Sequence, residues 1–375
     1  PVGHMQFVEI AREIDKKNVR LLVFDEPTAV LTESEASLLL AAMKRLSSEG
    51  IAILFITHRL DEVMEVADNI TILRDGEIVS RMPRNEARLD RIAQLMVGRK
   101  IERPVLPPRE SEPSDKDIVL KIENLKVDMP GERVRGLNIA VRRGEILGIG
   151  GLAGHGKVGI ANGVIGMYPA SGSVAKDGVQ IPLNDPRHAL LSGMAFVSED
   201  RRGVGLLLDE SIEMNIILTA MQVQGKFLKP GALPNLRLED RAAMKEHALS
   251  VIRDLDIRCT GPAQLVRRLS GGNQQKVCLG RAFTMEPEVL WVSEPTRGID
   301  VGAKQLVLDL LVKFNREHGM TIVMTSSELG ELRKICDRIA IVYRGQIAGV
   351  LPPDASDVDF GLMMAGKSAT LEEVS

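Results

Sequence analysis

The chain has 375 residues, 44% of them hydrophobic and 26% charged, which is enough for two or more domains that each bury a core. A formal net charge of −3 leaves no basic footprint for nucleic acid, and the three widely spaced cysteines, Cys259, Cys278 and Cys336, form no C-x-x-C pair, which argues against a disulfide or zinc framework. No apolar run reaches the ~18 residues of a membrane-spanning helix.

Residues 1–100 alternate strand and helix. The short apolar runs at 21–24 and 51–56 are those of parallel strands buried on both faces. Between them, residues 33–46 are predicted helical, with Leu38, Leu39, Ala42, Met43 and Leu46 on the inner face, and with Thr32 as cap and Glu35 three residues on. Residues 101–117 hold four prolines and many charges, the composition of a linker. A second α/β unit is predicted over 118–366, followed by a tail at 367–375. In it, residues 144–150 form a strand delivered into a glycine-rich turn, and a helix runs from Val158 onward. Residues 204–265 form a mostly helical lobe, and core strands resume at 289–292 and 321–324. Strands alternating with helices predict a mostly parallel sheet with right-handed crossovers.

The chain also repeats itself. Val292-Ser293-Glu294-Pro295-Thr296 answers Phe24-Asp25-Glu26-Pro27-Thr28, and Ser270-Gly271-Gly272-Asn273 answers Pro1-Val2-Gly3-His4. The strand ending in Ser327 answers the one ending in His58, and Arg344-Gly345 answers Asp75-Gly76. The offset is 269 residues, as between His58 and Ser327, or 268, as between Glu26 and Glu294. Chance does not hold one offset through so many motifs. The second copy has a phosphate-binding half ahead of its Ser-Gly-Gly loop and the first does not, so the chain reads as N-terminally truncated and is expected to be inactive alone.

Gly151-Leu152-Ala153-Gly154-His155-Gly156-Lys157-Val158 fits G-x-x-x-x-G-K except at its last position. Glycines let backbone N–H groups converge on phosphate, the helix N-terminus adds positive potential, and the lysine meets the outer phosphate oxygens. Val158 stands where Ser or Thr would ligate Mg²⁺, and it has no donor atom. In the first copy the strand ending in Asp25-Glu26-Pro27-Thr28 resembles that of the ATP-binding cassettes, and the resemblance implies that Asp25 holds Mg²⁺ through water, that Glu26 polarises the attacking water and that His58 lies near the γ-phosphate. The second copy has Ser293 and Ser327 in place of Asp25 and His58 and keeps Glu294, so its site reads as degenerate. Glu199, in Ser198-Glu199-Asp200-Arg201, lies in a lid-like segment before the helical lobe.

A Ser-Gly-Gly loop entering a helix, followed by an apolar strand ending in acid-Glu-Pro-Thr, resembles the ATP-binding cassettes. With two copies in one chain, the sequence resembles the tandem-cassette ATPase subunits of bacterial importers for simple sugars. The resemblance implies an α/β P-loop NTPase fold with an α-helical lobe, one partial cassette and one complete. It implies ATP and Mg²⁺ as cofactors, transport-coupled ATP hydrolysis, and a peripheral place on the cytoplasmic face of the cell membrane. It further implies integral-membrane permease partners, a periplasmic or extracellular sugar-binding protein acting indirectly, and a cassette dimer, within or between chains. Such cassettes pair head to tail. Ser270, Gly271, Gly272, Asn273 and Gln274 are thereby expected to meet ATP at one site, and Gly151, Gly154, His155, Gly156, Lys157, Val158, Glu199 and Glu294 at the other. Nucleoside importers share the tandem design and are an alternative. A soluble two-cassette translation factor is another, although such proteins resemble two consensus sites joined by a long charged helix, whereas this linker is short and proline-rich. A kinase or small GTPase needs no Ser-Gly-Gly-Asn-Gln-Gln.

Overall fold

The computed structural model describes residues 12, 19–28, 33–57, 59–74, 76–97, 114, 117–230, 237–299 and 301–366. Thr32, His58, the segment answering the Ser-Gly-Gly loop and almost all of the proline-rich stretch lie outside the described residues. The chain divides into two compact units, residues 1–103 with 300–302 and residues 104–299 with 303–375.

In the first unit, strand β1 (Leu21–Asp25) pairs in parallel with β2 (Ala52–Ile56), Asp25 opposite Ile56, and helix α1 (Glu33–Ser48) lies between them in sequence. The burial of this pair differs from the two-faced burial expected of it. Leu22 and Phe24 are buried, whereas Leu21 and Val23 are each 57% exposed, the period of two that a pleat imposes. The inner face of α1 is also displaced. Ala36, Leu39, Leu40 and Met43 are buried at i, i+3, i+4 and i+7, while Leu38 is 67% exposed and Ala42 is exposed, because each lies to one side of that stripe. Helix α2 (Leu60–Val66), the antiparallel strands β3 (Asn69–Arg74) and β4 (Glu77–Pro83), and helix α3 (Leu89–Val97) complete the unit around Ile70, Ile72, Met82 and Ile92.

The second unit opens with the long strands β5 (Ile118–Val127) and β6 (Val134–Arg142), then β7 (Ile146–Gly150) and α4 (Lys157–Ile165). Strands β8 (Ala170–Lys176) and β9 (Val179–Gln180), α5 (Pro186–Leu191) and β10 (Met194–Val197) follow. The lobe holds α6 (Ile212–Gln224), a short antiparallel pair β11 (Leu228–Pro230) and β12 (Arg237–Glu239), and α7 (Arg241–Asp254). After it come α8 (Gly271–Thr284), β13 (Val289–Ser293), α9 (Val301–His318), β14 (Thr321–Thr325), α10 (Leu329–Ile335), β15 (Arg338–Tyr343), β16 (Gln346–Leu351) and α11 (Asp357–Met364).

The central sheet runs β10-β13-β14-β7-β15-β16, parallel except for the last pair. An antiparallel sheet, β6-β5-β8-β9, lies apart from it in pairing. Alternate residues of the central strands serve two cores. Leu290, Val292, Ile322 and Met324 pack with the lobe and α8, whereas Val289, Trp291 and Val323 pack with α4 and the antiparallel sheet. Strands β7, β13 and β14 are buried at every position, as expected where both faces are covered. Burial also pushes the Cys278 thiol up to about 12, so it is inert at neutral pH.

The single tryptophan, Trp291, is fully buried in the second unit, so its fluorescence follows that unit alone. Trypsin is expected to cut after Arg109 or Lys116, digest the first hundred residues, and leave a resistant fragment with the Trp291 emission unchanged. Loss of that emission in step with cleavage would show that the second unit does not stand alone.

Candidate functional site

The register of the central sheet builds the site. Ser293 pairs with Thr325 and Thr325 with Ile149, so β13, β14 and β7 end in one row. Beyond their carboxyl ends come Glu294, Ser327 and Gly151, the place where open α/β sheets bind ligands. At Gly151, with φ of 142°, a Cβ would lie 2.5 Å from the Val342 carbonyl, so only glycine lets the loop turn there. The loop then delivers Gly156 as the cap of α4, with Lys157 as the first helical residue.

Three backbone N–H groups of this loop converge on one carboxylate. Gly154 donates to Glu132 Oε1 at 2.8 Å, and Gly156 and Val158 donate to Glu132 Oε2 at 2.9 and 3.3 Å. The loop is therefore shaped to hold an oxyanion. Lys157 is 1% exposed and cannot remain unpaired. Its Nζ donates to the Gly151 carbonyl at 3.1 Å and to Ser327 Oγ at 2.8 Å, and lies 3.3 Å from Glu294 Oε1. Ser327 in turn donates to Glu294, through Oγ at 2.7 Å and its backbone N–H at 3.1 Å. His155 packs edge-on against Tyr343, and its carbonyl accepts from the Gly345 N–H. Val158 is buried and presents no oxygen. Ser293 is fully buried, and its Oγ meets no hydrogen-bond partner among the described residues.

Glu199 is brought to α4, where Asn162 Nδ2 donates to both its carboxylate oxygens at 3.3 Å. Burial pushes its carboxyl up, against the hydrogen bonds from its own backbone, Asn162 and Ser198, which favour the ionised form.

Ser270 caps α8 and accepts from Asn273 Nδ2 at 2.9 Å, while Asn273 Oδ1 accepts from the Arg258 N–H. Gly271 and Gly272 follow, and a Cβ on Gly272 would lie 2.6 Å from Ala303 Cβ, so this glycine admits α9 at close range. Gln274 departs from the role expected of it. It is 3% exposed and its amide donates to the carbonyls of Val266 and Leu269, which ties the loop to its own helix instead of offering a group to a ligand.

In the first unit, Asp25 and Glu26 are exposed at the end of β1, and His58 lies outside the described residues. The two strand ends match in backbone. Glu26 and Glu294 are left-handed, with φ of 46° and 47°, and their N–H groups bond to Ile56 and Thr325 of the neighbouring strand. A buried threonine two residues on holds a buried glutamate in each copy, Thr28 to Glu62 at 2.8 Å and Thr296 to Glu331 at 2.7 Å. Sequence reasoning passed over both pairs and Glu132. The glutamate pair had a signal, since Glu62 and Glu331 keep the 269-residue offset. Glu132 had none.

The ABC transporter family matches residues 134–297. The xylose import ATP-binding protein of Moorella thermoacetica is 40% identical over 354 residues, 93% of this chain and 67% of that protein. A ribose import ATP-binding protein of Rubrobacter xylanophilus is 36% identical over 375 residues, 99% of this chain and 71% of that protein. The chain belongs to the ABC transporter family. Among solved structures, a nucleotide-free cassette from an ABC transporter superposes with a TM-score of 0.53 at 19% identity, covering 66% of this chain and 95% of its own. A dimeric cassette bound to ADP and phosphate gives 0.51 at 21%, covering 63% and 100%. These likenesses show the α/β P-loop fold of an ABC ATPase.

Within this ABC cassette, Glu199 carries a pH signature. Its carboxyl is raised in the fold, so its contribution to stability is full below the ordinary glutamate value of ~4.3 and is lost as pH rises through the raised value. Glu199→Gln removes the buried charge and is expected to raise the melting temperature at pH 7.5, with the gain shrinking towards pH ~4. Melting curves of both proteins across that range check this; a gain that grows on acidification contradicts it.

Proposed function

We propose that this chain serves as the ATP-hydrolysing subunit that energises import of a simple sugar through a membrane permease. The observation that carries the reading is the phosphate loop at the end of β7, with its lysine beside the strand-end Glu294, in a chain that also carries the Ser270–Asn273 turn at the start of α8. The relatives named for xylose and ribose import support sugar over nucleoside. Among the described residues no helix is long and apolar enough to cross a membrane. The subunit sits on the cytoplasmic face of a permease dimer, docked through the segment from Glu199 into the helical lobe. Ser270, Gly271, Gly272 and Asn273 close a nucleotide site on a partner cassette.

The two strand ends differ in what they offer Mg²⁺. Asp25 and Glu26 present two exposed carboxylates, the hard oxygen donors Mg²⁺ takes. In this reading Asp25 holds the ion through water, Glu26 orients the attacking water and His58 meets the γ-phosphate. At the second site the Val158 side chain has no oxygen, Ser293 offers one neutral hydroxyl, and Glu294 is engaged by Lys157 and Ser327. That donor set does not fit the usual Mg²⁺ site, and the loop residues bind ATP there through Lys157 and backbone N–H groups.

Two outcomes follow. In calorimetric titrations, ATP binding to residues 151–158 is expected to change little on adding Mg²⁺ and to fall at least ~10-fold in Lys157→Ala, since the lysine supplies a charge-assisted bond. A large affinity gain from Mg²⁺ would show a metal site the residues do not suggest. In a transporter whose first copy is joined to a phosphate-binding half and which is assembled with its permease, Glu26→Gln is expected to lower ATP turnover by ~10²–10⁴-fold and Glu294→Gln far less. Equal losses would contradict the division of roles.

A further inference from the structure

We propose that Glu132 is a tethered competitor for the nucleotide's phosphates: its carboxylate occupies the loop's own oxyanion cradle and must swing out before ATP can enter. The inference rests on reading residues 151–158 as a nucleotide site, and it adds a residue that sets that site's affinity. The three N–H groups that Glu132 takes, those of Gly154, Gly156 and Val158, are the donors a phosphate loop turns toward phosphate. One N–H cannot fully serve both anions, so the two occupants exclude each other.

The contact is built into the backbone. Glu132 sits in the turn between β5 and β6, where its own N–H donates to the Met129 carbonyl at 3.0 Å, and Arg133 Nε reaches Asp128 at 2.9 Å. That turn lies directly on the phosphate loop because side chains are missing where they would collide. A Cβ at Gly159 would lie 2.0 Å from the Glu132 carbonyl oxygen, one at Gly156 2.5 Å from that of Arg133, and one at Gly345 2.7 Å from the same atom. The Arg135 N–H bonds to the Gly345 carbonyl, and the Gly345 N–H to that of His155, which closes the turn, the loop and the β15–β16 hairpin into one piece. Seated there, the backbone delivers the carboxylate to the cradle. The Glu132 side chain itself is only half-buried, so rotation about its own bonds releases it without moving the turn.

Lys157 is held in the same self-contained way, by Glu294 and Ser327. Two carboxylates of the chain thus take up the loop's two means of holding phosphate, its amides and its ammonium. A group that blocks a site for most of the time weakens apparent affinity by the fraction of time the site is free. The cost falls on the phosphates and leaves the base untouched.

The alternative is that Glu132 only caps α4, and the two roles give opposite results. ATP binding to the intact chain is measured in EDTA for the wild type, Glu132→Ala, Glu132→Gln and Lys157→Ala, together with melting temperature without nucleotide. Pyrophosphate is titrated as a second probe that carries no base. The competitor predicts that Glu132→Ala melts lower yet binds ATP and pyrophosphate ~10-fold more tightly, with Glu132→Gln gaining ~3-fold because a neutral acceptor holds the amides less strongly. If Glu132→Ala folds poorly, the Glu132→Gln gain decides alone. Unchanged or weaker binding in the Glu132 variants, with Lys157→Ala still impaired, overturns the competitor and leaves the nucleotide site standing. No binding in any variant, or binding indifferent to Lys157, overturns the nucleotide-site reading and the competitor with it.

Discussion

The buried ammonium of Lys157 organises the second unit's strand ends. A cation that is 1% exposed has to find charge and hydrogen bonds within reach, and three separate strands supply them: Gly151 after β7, Glu294 after β13 and Ser327 after β14. Removing any one partner leaves a charge or a donor stranded in a dry place, which is far more costly than losing a surface pair. The same interaction engages the second copy's strand-end glutamate. A serine at 327 donates to Glu294 while accepting from Lys157, a chain of short bonds that turns the strand-end glutamate into a counterion. A glutamate so engaged is poorly placed to orient a water. In the first copy the matching Glu26 is exposed beside Asp25.

At these two strand ends the backbone matches. Each strand ends in a left-handed glutamate, a conformation that costs non-glycine residues energy and that recurs where function demands a side chain at a fixed angle. Each is followed by a threonine that bonds to a buried glutamate on the helix after the next strand. In the second copy burial pushes the Glu331 carboxyl up, aided by repulsion from Glu328, and Lys304 stands nearby as a counterweight. These locks hold strand end to helix in both copies.

The parts legible in the sequence are those specified over short distances. The phosphate loop could be read because its glycines and lysine stand in one run, and β7, β13 and β14 because strands covered on both faces are continuous apolar stretches. The face of α1 was displaced because Leu38 and Ala42 are as apolar as the residues beside them, and only packing against Leu22 and Phe24 selects Leu39, Leu40 and Met43. The antiparallel sheet, the Asn162–Glu199 contact and the Glu132 cradle were not legible. The two contacts join residues 37 and 22 apart in the chain, and an acid in a Pro-Gly-Glu turn looks like any solvated loop residue until the phosphate loop is folded against it. Gln274 shows the converse, a motif residue whose side chain serves the fold.

If the amides of residues 151–158 receive the phosphates of ATP, amide hydrogen exchange reads them one by one. With ATP added, exchange at Gly154, Gly156 and Val158 and through the first turn of α4 is predicted to slow more than anywhere else in the second unit. Unchanged exchange there, with protection gained at another strand end, would contradict the account.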